Sequence, residues 1–511
     1  MGPNRTIQKI LVANRGEIAV RIMRTCAEMG IRTVAVYSDA DRGSLHVRKA
    51  DEAVHVGPAP SRESYLSVEK IVDAAKKTGA DAVHPGYGFL SERAELARAL
   101  ERAGIAFVGP PPAVLEVIED KIAVRKRMAA AGVPTVPGSA ASLPDEAEAR
   151  AFADDLGYPV MIKAAAGRGG AGLTRCDRGD DLPALWEAAR REAQLAFGDD
   201  RLYLEKLLAR ARHVEVQVLA DAHGRCIHLG ERECSVQRRR QKLVEESPSA
   251  FVNERLREIL GAVAVRAARE VGLVGAGPVE VLVAGERAFH FLEMHARLPA
   301  EHPVTEMITG LDLVRLQIEV ARGDPLPEQG AVVRRGHAVE ARVYAEDPAS
   351  RFLPSPGKIT YLRVPGGPGV RDDSGVYGGW VVPPDYDPLL SKVVAWGATR
   401  DQAIARLVRA LGEYVVHGVT ANVAWLSAVL EHPAFRAGDY DTGFCERHGR
   451  ELLRPPDPRF EEVALIAAAV SAFQRDRDEA EAYAARAGQA AERSGWARLA
   501  RVRALRGGGR A

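Results

Sequence analysis

The first forty residues constrain the fold most, because an apolar run, an amphipathic stretch stopped by glycine and a second apolar run follow one another without interruption. Ile10-Leu11-Val12-Ala13 reads as a buried strand, Glu17 to Met29 as an amphipathic helix closed by Gly30, and Thr33 to Tyr37 as a second strand. This is the opening unit of a doubly wound α/β domain. The turn Asn14-Arg15-Gly16-Glu17-Ile18-Ala19 holds a single glycine, so it is no G-x-G-x-x-G loop and supports a dinucleotide site only weakly. A further strand and loop run from Ala82 to Glu92. Phe107-Val108-Gly109 and three prolines close the unit near residue 115.

A second unit begins with a helix around Asp120 to Ala131. It contains Tyr158-Pro159-Val160-Met161-Ile162-Lys163, a strand ending in lysine and followed by the glycine-rich run 164–172. A third region carries alternating strands at His213 to Val218, Val279 to Val283 and Ala288 to Glu293, and extends to about residue 450. Residues 461–494 are alanine-rich with a helical pattern. Beyond a stop at Ser494-Gly495-Trp496 come five arginines, Arg498, Arg501, Arg503, Arg506 and Arg510, and no acid. The bland alternative for this tail is a solvated, partly disordered segment.

Charge excludes some functions. Lys and Arg number 70 against 69 Asp and Glu, so no global field favours a nucleic acid or an anionic membrane, and any anion site must be local. The longest apolar run, Val463 to Val470, is far below the roughly 18 residues of a membrane span, and the N-terminus has no signal-peptide pattern. A cytoplasmic location is the default expectation. Five scattered cysteines without a C-x-x-C pair argue against a disulfide framework or a structural zinc site. Only 12 of the 70 basic residues are lysine, so Lys121, Lys163, Lys206 and Lys242 stand out at motif positions.

A strand ending in Lys163 and passing into a glycine-rich loop offers an ammonium and backbone N–H groups to a polyphosphate. No Gly-Lys-Ser/Thr follows, so it is not a Walker A loop, and a plain surface turn would look similar. Glu280 and Glu293 lie in alternating strands, where a carboxylate on an apolar face must be paired or bound to a cation. Two such oxygen donors suit Mg²⁺; two solvent-facing glutamates are the bland reading. Residues 231–242, Glu-Arg-Glu-Cys-Ser-Val-Gln-Arg-Arg-Arg-Gln-Lys, pack four cations into five positions. Adjoining acids and the lack of aromatics favour nucleotide phosphates and a small oxyanion over nucleic acid.

The stretches LVANRGEIAVRI, HPGYGFLSE, GPPPAV, GYPVMIKAA, RHVEVQVLAD, ERECSVQRR, GAGPVE, EHPVTEMITG, RGHAVEARVYAEDP and FLPSPGKIT together resemble the biotin carboxylases, the ATP-grasp components of acyl-CoA carboxylases. The resemblance covers residues 7 to about 450. It implies an α/β protein with an N-terminal doubly wound domain (1–115), an ATP-grasp domain (116–330, lid about 135–205) and a C-terminal α+β domain (331–450), followed by a helical, linker-like tail (451–511). It also implies that Lys121 and Lys163 contact ATP phosphates, with Gly169 and Gly170 on their lid side. Glu205, Lys206 and Leu208 would sit at the adenine edge, and His213, Gln237 and Arg240 near the ribose. Glu280, Glu293 and His295 would hold Mg²⁺ or Mn²⁺. Lys242 and Arg297 would grip bicarbonate, Glu301 would be its general base, and Arg342 would stabilise the biotin enolate. The implied partners are a separate biotin carrier, a carboxyltransferase and a second copy in a homodimer.

The chain departs from the family signature E-M-N-x-R-x-Q-V-E-H at residues 293–302, reading Glu-Met-His-Ala-Arg-Leu-Pro-Ala-Glu-His. Asn has become His295, a ligand that Mn²⁺ accepts better than Mg²⁺. Gln has become Pro299, which removes an amide side chain and a backbone N–H. Arg168 replaces a lid glycine, and Arg240 stands where His or Asn is usual. An impaired homologue serving as a nucleotide-binding or assembly subunit is the alternative. An ATP-grasp ligase joining a carboxylate to an amine has the nucleotide machinery, but it does not explain Lys242, Arg297, Glu301 and Arg342 together.

Overall fold

A computed structural model of the chain describes residues 5–167, 170–285, 288–453, 458–493, 499 and 502. The chain divides into two compact units, 1–453 and 454–511.

In the first unit, strands β1 (Lys9–Val12), β2 (Arg32–Ser38), β3 (Glu52–Gly57), β4 (Ala82–His84) and β5 (Ala106–Phe107) form a parallel sheet in the order β3-β2-β1-β4-β5. The predicted opening is present: helix Gly16–Glu28 joins β1 to β2, and Gly16 turns the chain at φ +65°, a conformation that suits a residue without Cβ. Strand order reverses at β1, which puts the loops after β1 and β4 together at the carboxyl edge of the sheet, where such folds bind ligands. Asn14 ties them, its Nδ2 donating to Pro85 O and Tyr87 O at 2.7 Å each. That pins the loop ending in Glu92.

A small subdomain follows at the place where the resemblance expects the lid. Strands β6 (Val160–Ala164), β7 (Leu173–Cys176) and β8 (Leu202–Lys206) pair antiparallel in the order β7-β6-β8. Helices Glu146–Leu156 and Leu182–Phe197 cover them, burying Val160, Ile162, Trp186, Leu202 and Leu204 in a cluster of the lid's own.

The third layer is one eight-stranded sheet built from β9 (Arg212–Ala220), β10 (Cys226–Arg238), β11 (Gln241–Ser247), β12 (Gly275–Val283), β13 (Phe289–Met294), β14 (His337–Tyr344), β15 (Val370–Ser374) and β16 (Leu389–Gly397). All its pairings are antiparallel, in the order β13-β12-β9-β10-β11-β14-β16-β15. The sheet therefore runs without a break from the central region into the C-terminal one, through the pairing of β11 with β14. Alternation in β9 sorts its residues between two buried faces. Val214, Val216 and Val218 join the core that includes Leu256, Leu260 and Ala264 of helix Glu254–Val271, while His213, Glu215 and Gln217 are buried on the opposite face.

The second unit contains helix Pro458–Arg493, with Val463, Ile466, Val470 and Phe473 exposed. Ser494, Gly495, Trp496 and the five arginines after them lie outside the described residues. No helix among the described residues is long and apolar enough to cross a membrane. All five cysteines are free thiols, four of them buried.

Candidate active site

Sheet register creates the site. Glu280 of β12 stands opposite Glu215 of β9 on one side and Glu293 of β13 on the other, and Glu215 stands opposite Arg232 of β10. Like charges directly opposite one another destabilise a sheet, so three carboxylates in one row require cations. Lys242 of β11 supplies one, pairing with Glu215 and with Glu280 Oε1 (3.1 Å) and Glu301 Oε1 (2.5 Å). Lys121, at the start of helix Lys121–Ala130, reaches Glu293 Oε2 at 2.5 Å. Arg232, fully buried, takes Glu215 Oε2 at 2.9 Å.

Glu301 lies at the N-terminal end of helix His302–Thr309 and is shared between two strands. Lys242 approaches one oxygen, and Arg342 of β14 the other at 3.0 Å while also pairing with Glu245. Burial alone would raise the Glu301 pKa, but Lys242, Arg342 and Arg232 pull it well below the usual carboxylate range. Burial likewise opposes the Lys242 charge, and Glu280 with Glu301 overcomes it and raises the ammonium.

Glu280, Glu293 and His295 form one of the groups that could hold a cation, their donor atoms all lying within 4.8 Å of one another. His295 Nε2 is 3.5 Å from Glu280 Oε1 and 3.4 Å from Glu293 Oε1, and its Nδ1 is 3.1 Å from Glu92 Oε1. Burial disfavours the imidazolium, yet Glu92, Glu280 and Glu293 outweigh it and hold His295 well above the ordinary histidine value. The donor set of two carboxylates and an imidazole fits a divalent cation. Arg297 donates from Nε to Glu92 Oε2 at 3.1 Å.

On the lid side, Lys163 Nζ is buried 2.9 Å from Glu205 Oε2 and lies 5.4 Å over the Tyr203 ring. Glu205 accepts from Arg125 at its other oxygen (2.8 Å). Lys206 spends its side chain on the lid itself, donating to Gly157 O (2.6 Å) and Tyr158 O (3.1 Å). Leu208 follows β8, half-buried. Arg240, at φ +67°, donates to Gly170 O (2.9 Å) and Leu173 O (2.8 Å) and so ties the glycine loop to the large sheet. Gly170 itself has φ +82°, where a side chain would be strained. Gly169 and Arg168 lie outside the described residues. His213, expected toward the ribose, has its ring against the carboxylate row, with Nε2 2.9 Å from Glu280 Oε2 and Nδ1 accepting from Gln237 at 2.7 Å.

Sequence reasoning missed Glu215, Glu92, Glu245 and Arg232. Glu215 shares the alternating face of His213 and Gln217, a polar face whose burial was the missing signal. Glu92 ends a loop from another sheet, and no spacing reaches it.

A small sheet that presents Lys163 and a larger sheet that presents a row of paired carboxylates supply the cations and oxygen donors that a polyphosphate with its divalent cation requires. Residues 6–115 match the family described as biotin carboxylase, N-terminal domain. Residues 120–329 match the carbamoyl-phosphate synthase L chain ATP-binding domain, and residues 340–447 the biotin carboxylase C-terminal domain. The biotin carboxylase of Halalkalibacterium halodurans is 50% identical over 442 residues, 86% of this chain and 98% of that protein. The propionyl-CoA carboxylase alpha chain of Ruegeria pomeroyi is 47% identical, with 90% of this chain and 71% of that one covered. Among solved structures, the biotin carboxylase domain dimer of Hydrogenobacter thermophilus 2-oxoglutarate carboxylase, in complex with MgADP, ADP and bicarbonate, superposes with a TM-score of 0.86 at 43% identity, covering 88% of this chain and all of that one. The chain belongs to the biotin carboxylase family, whose members are ATP-dependent ligases that carboxylate biotin.

Proposed function

We propose that this protein uses ATP and bicarbonate to carboxylate biotin, as the first half-reaction of a larger carboxylase. The observation that carries the reading is the convergence of Lys242 and Arg342 on the two oxygens of Glu301, beside the carboxylate pair Glu280 and Glu293. Bicarbonate is a poor nucleophile, so Glu301 takes its proton while Lys242 and Arg297 hold its oxygens. Lys121 and Lys163 stabilise charge on the ATP phosphates as the γ-phosphoryl passes to bicarbonate, which needs positioning and electrostatic stabilisation more than covalent help. The resulting carboxyphosphate decomposes to CO₂ and phosphate, and phosphate takes the N1 proton of biotin. Arg342 stabilises the enolate, and the biotin nitrogen attacks CO₂. Glu280, Glu293 and His295 hold a divalent cation, which when bound neutralises phosphate charge. Glu205, Lys206 and Leu208 form the adenine edge and Gln237 and Arg240 lie toward the ribose, while His213 serves the carboxylate row instead.

The proposed division into residues 1–115, 116–330, 331–450 and a tail rests on the three family matches. Biotin is presented from outside these 511 residues. A carrier displays its lysine between methionines, and none of the seven methionines here adjoins a lysine. The proposed partners are that carrier, a carboxyltransferase and a second copy of the chain, and the proposed location is the cytoplasm. The deciding experiment is ATP hydrolysis with and without bicarbonate, then with free biotin added. Bicarbonate-dependent turnover accelerated by biotin supports the reading. ATP binding without turnover supports the impaired homologue, whose motivation is the changed signature at His295 and Pro299.

A further inference from the structure

His295 replaces the asparagine of the family signature, and its surroundings give the imidazole a defined direction. Nδ1 lies 3.1 Å from Glu92 Oε1, and because a carboxylate only accepts, Nδ1 carries the hydrogen. Nε2 is directed between Glu280 and Glu293, 3.5 and 3.4 Å from their Oε1 atoms, and a cation bound there takes the place of the proton on that nitrogen. Adjacent donors about 2.1 Å from an octahedral ion are about 3.0 Å apart, so both spacings need to shorten by only about half an ångström for the imidazole and the two carboxylates to share one cation.

Glu92 acts on three successive residues. Besides His295 it accepts from the backbone N–H of Ala296 (3.2 Å) and from Nε of Arg297 (3.1 Å). It comes from the parallel sheet's loop that Asn14 pins, whereas its three partners follow β13 of the antiparallel sheet. A carboxylate behind a ligating histidine fixes the ring and raises its basicity, and its loss costs about 10–100-fold in metal affinity.

We propose that Glu92 is a positioning residue that makes His295 a nitrogen ligand of the cation held by Glu280 and Glu293, giving this site a preference for Mn²⁺ over Mg²⁺. The proposal rests on the reading of Glu280 and Glu293 as the nucleotide's cation site. Nitrogen donors favour Mn²⁺ over Mg²⁺, which demands oxygen.

The test is electron spin echo spectroscopy of the full chain with Mn²⁺ and ADP. Wild type is expected to show ¹⁴N coupling that becomes ¹⁵N coupling when the protein is grown on ¹⁵N-histidine, and that disappears in His295→Asn. Calorimetry should find the Mn²⁺:Mg²⁺ affinity ratio at least about tenfold lower in Glu92→Ala, approaching that of His295→Asn. Glu92→Gln still accepts from Nδ1 and should recover part of it. Bound Mn²⁺ without histidine coupling overturns the proposal and leaves the cation site intact. Coupling that survives in His295→Asn assigns the ligand to His213 and also overturns it. If Mn²⁺ and ADP do not bind together at all, the underlying reading falls as well. The wild-type spectrum decides even if Glu92→Ala fails to fold.

Discussion

Lys242 Nζ lies 2.5 Å from Glu301 Oε1, so the cation proposed to grip bicarbonate neutralises the carboxylate proposed to deprotonate it. Substituting Lys242→Met removes a partner of the carboxylate form only. Glu301 would then protonate at higher pH, and the acid limb of the bicarbonate-dependent ATPase profile is expected to move upward. Above that limb kcat/KM for bicarbonate should still fall about 10–100-fold, the worth of one charge-assisted contact. A pH–rate series on both proteins measures the shift.

Glu301→Gln keeps the shape of the side chain and removes its basicity. Bicarbonate-dependent ATP hydrolysis should drop by roughly 10²–10⁴, while a non-hydrolysable ATP analogue binds nearly as before. Calorimetry alongside the ATPase separates the two; lost binding would mean the glutamate is structural.

Lys163 shares Glu205 with Arg125 of helix Lys121–Ala130. Lys163→Ala should weaken binding of the ATP analogue by about 10–100-fold, the range for one charge-assisted hydrogen bond. Unchanged affinity would remove the lysine from the phosphate site.

Reverting His295→Asn and Pro299→Gln together should raise Mg²⁺-supported, bicarbonate-dependent ATPase activity. If the double variant is unchanged while Glu301→Gln abolishes turnover, the site tolerates both departures. If neither wild type nor revertant turns over, the impaired homologue is the better description.

Acid should destabilise the N-terminal sheet through buried neutral histidines. Burial depresses His46 from 6.5 to about 4 and His84 to about 3. Below pH 6.5 the unfolded chain takes up protons that these folded imidazoles refuse, so stability falls as pH drops toward 4, by about 1.4 kcal/mol per pH unit for each group. Thermal melts at pH 7 and pH 5 read this directly, and a flat Tm would contradict the neutral assignment.

Much of this fold was legible in local pattern. The β-α-β opening, the strand ending at Lys163 and the strands carrying Glu280 and Glu293 all show in spacing. Alternation located the polar face of β9 and could not tell that another layer covers it, since burial of His213, Glu215 and Gln217 depends on elements far along the chain. The partners of His295 were out of reach for the same reason. Glu92 meets it across 203 positions, through two sheets whose approach leaves no mark in local sequence. Family resemblance supplied the roles of Arg297, Glu301 and Arg342, which no periodicity in this chain distinguishes from ordinary paired charges.

The unbroken pairing from β11 to β14 bears on how the chain can be cut. A fragment ending near residue 335 would keep every cation-site carboxylate but strip β11 of its neighbour, leaving the Val244–Ser247 backbone edge bare. Exposed edges of this kind recruit other strands, so such a fragment should associate with itself, or recombine with a separately supplied 336–453 piece, rather than stay a monomer. Splitting the gene at this point would thus produce a complementation pair, with activity appearing only when both halves meet.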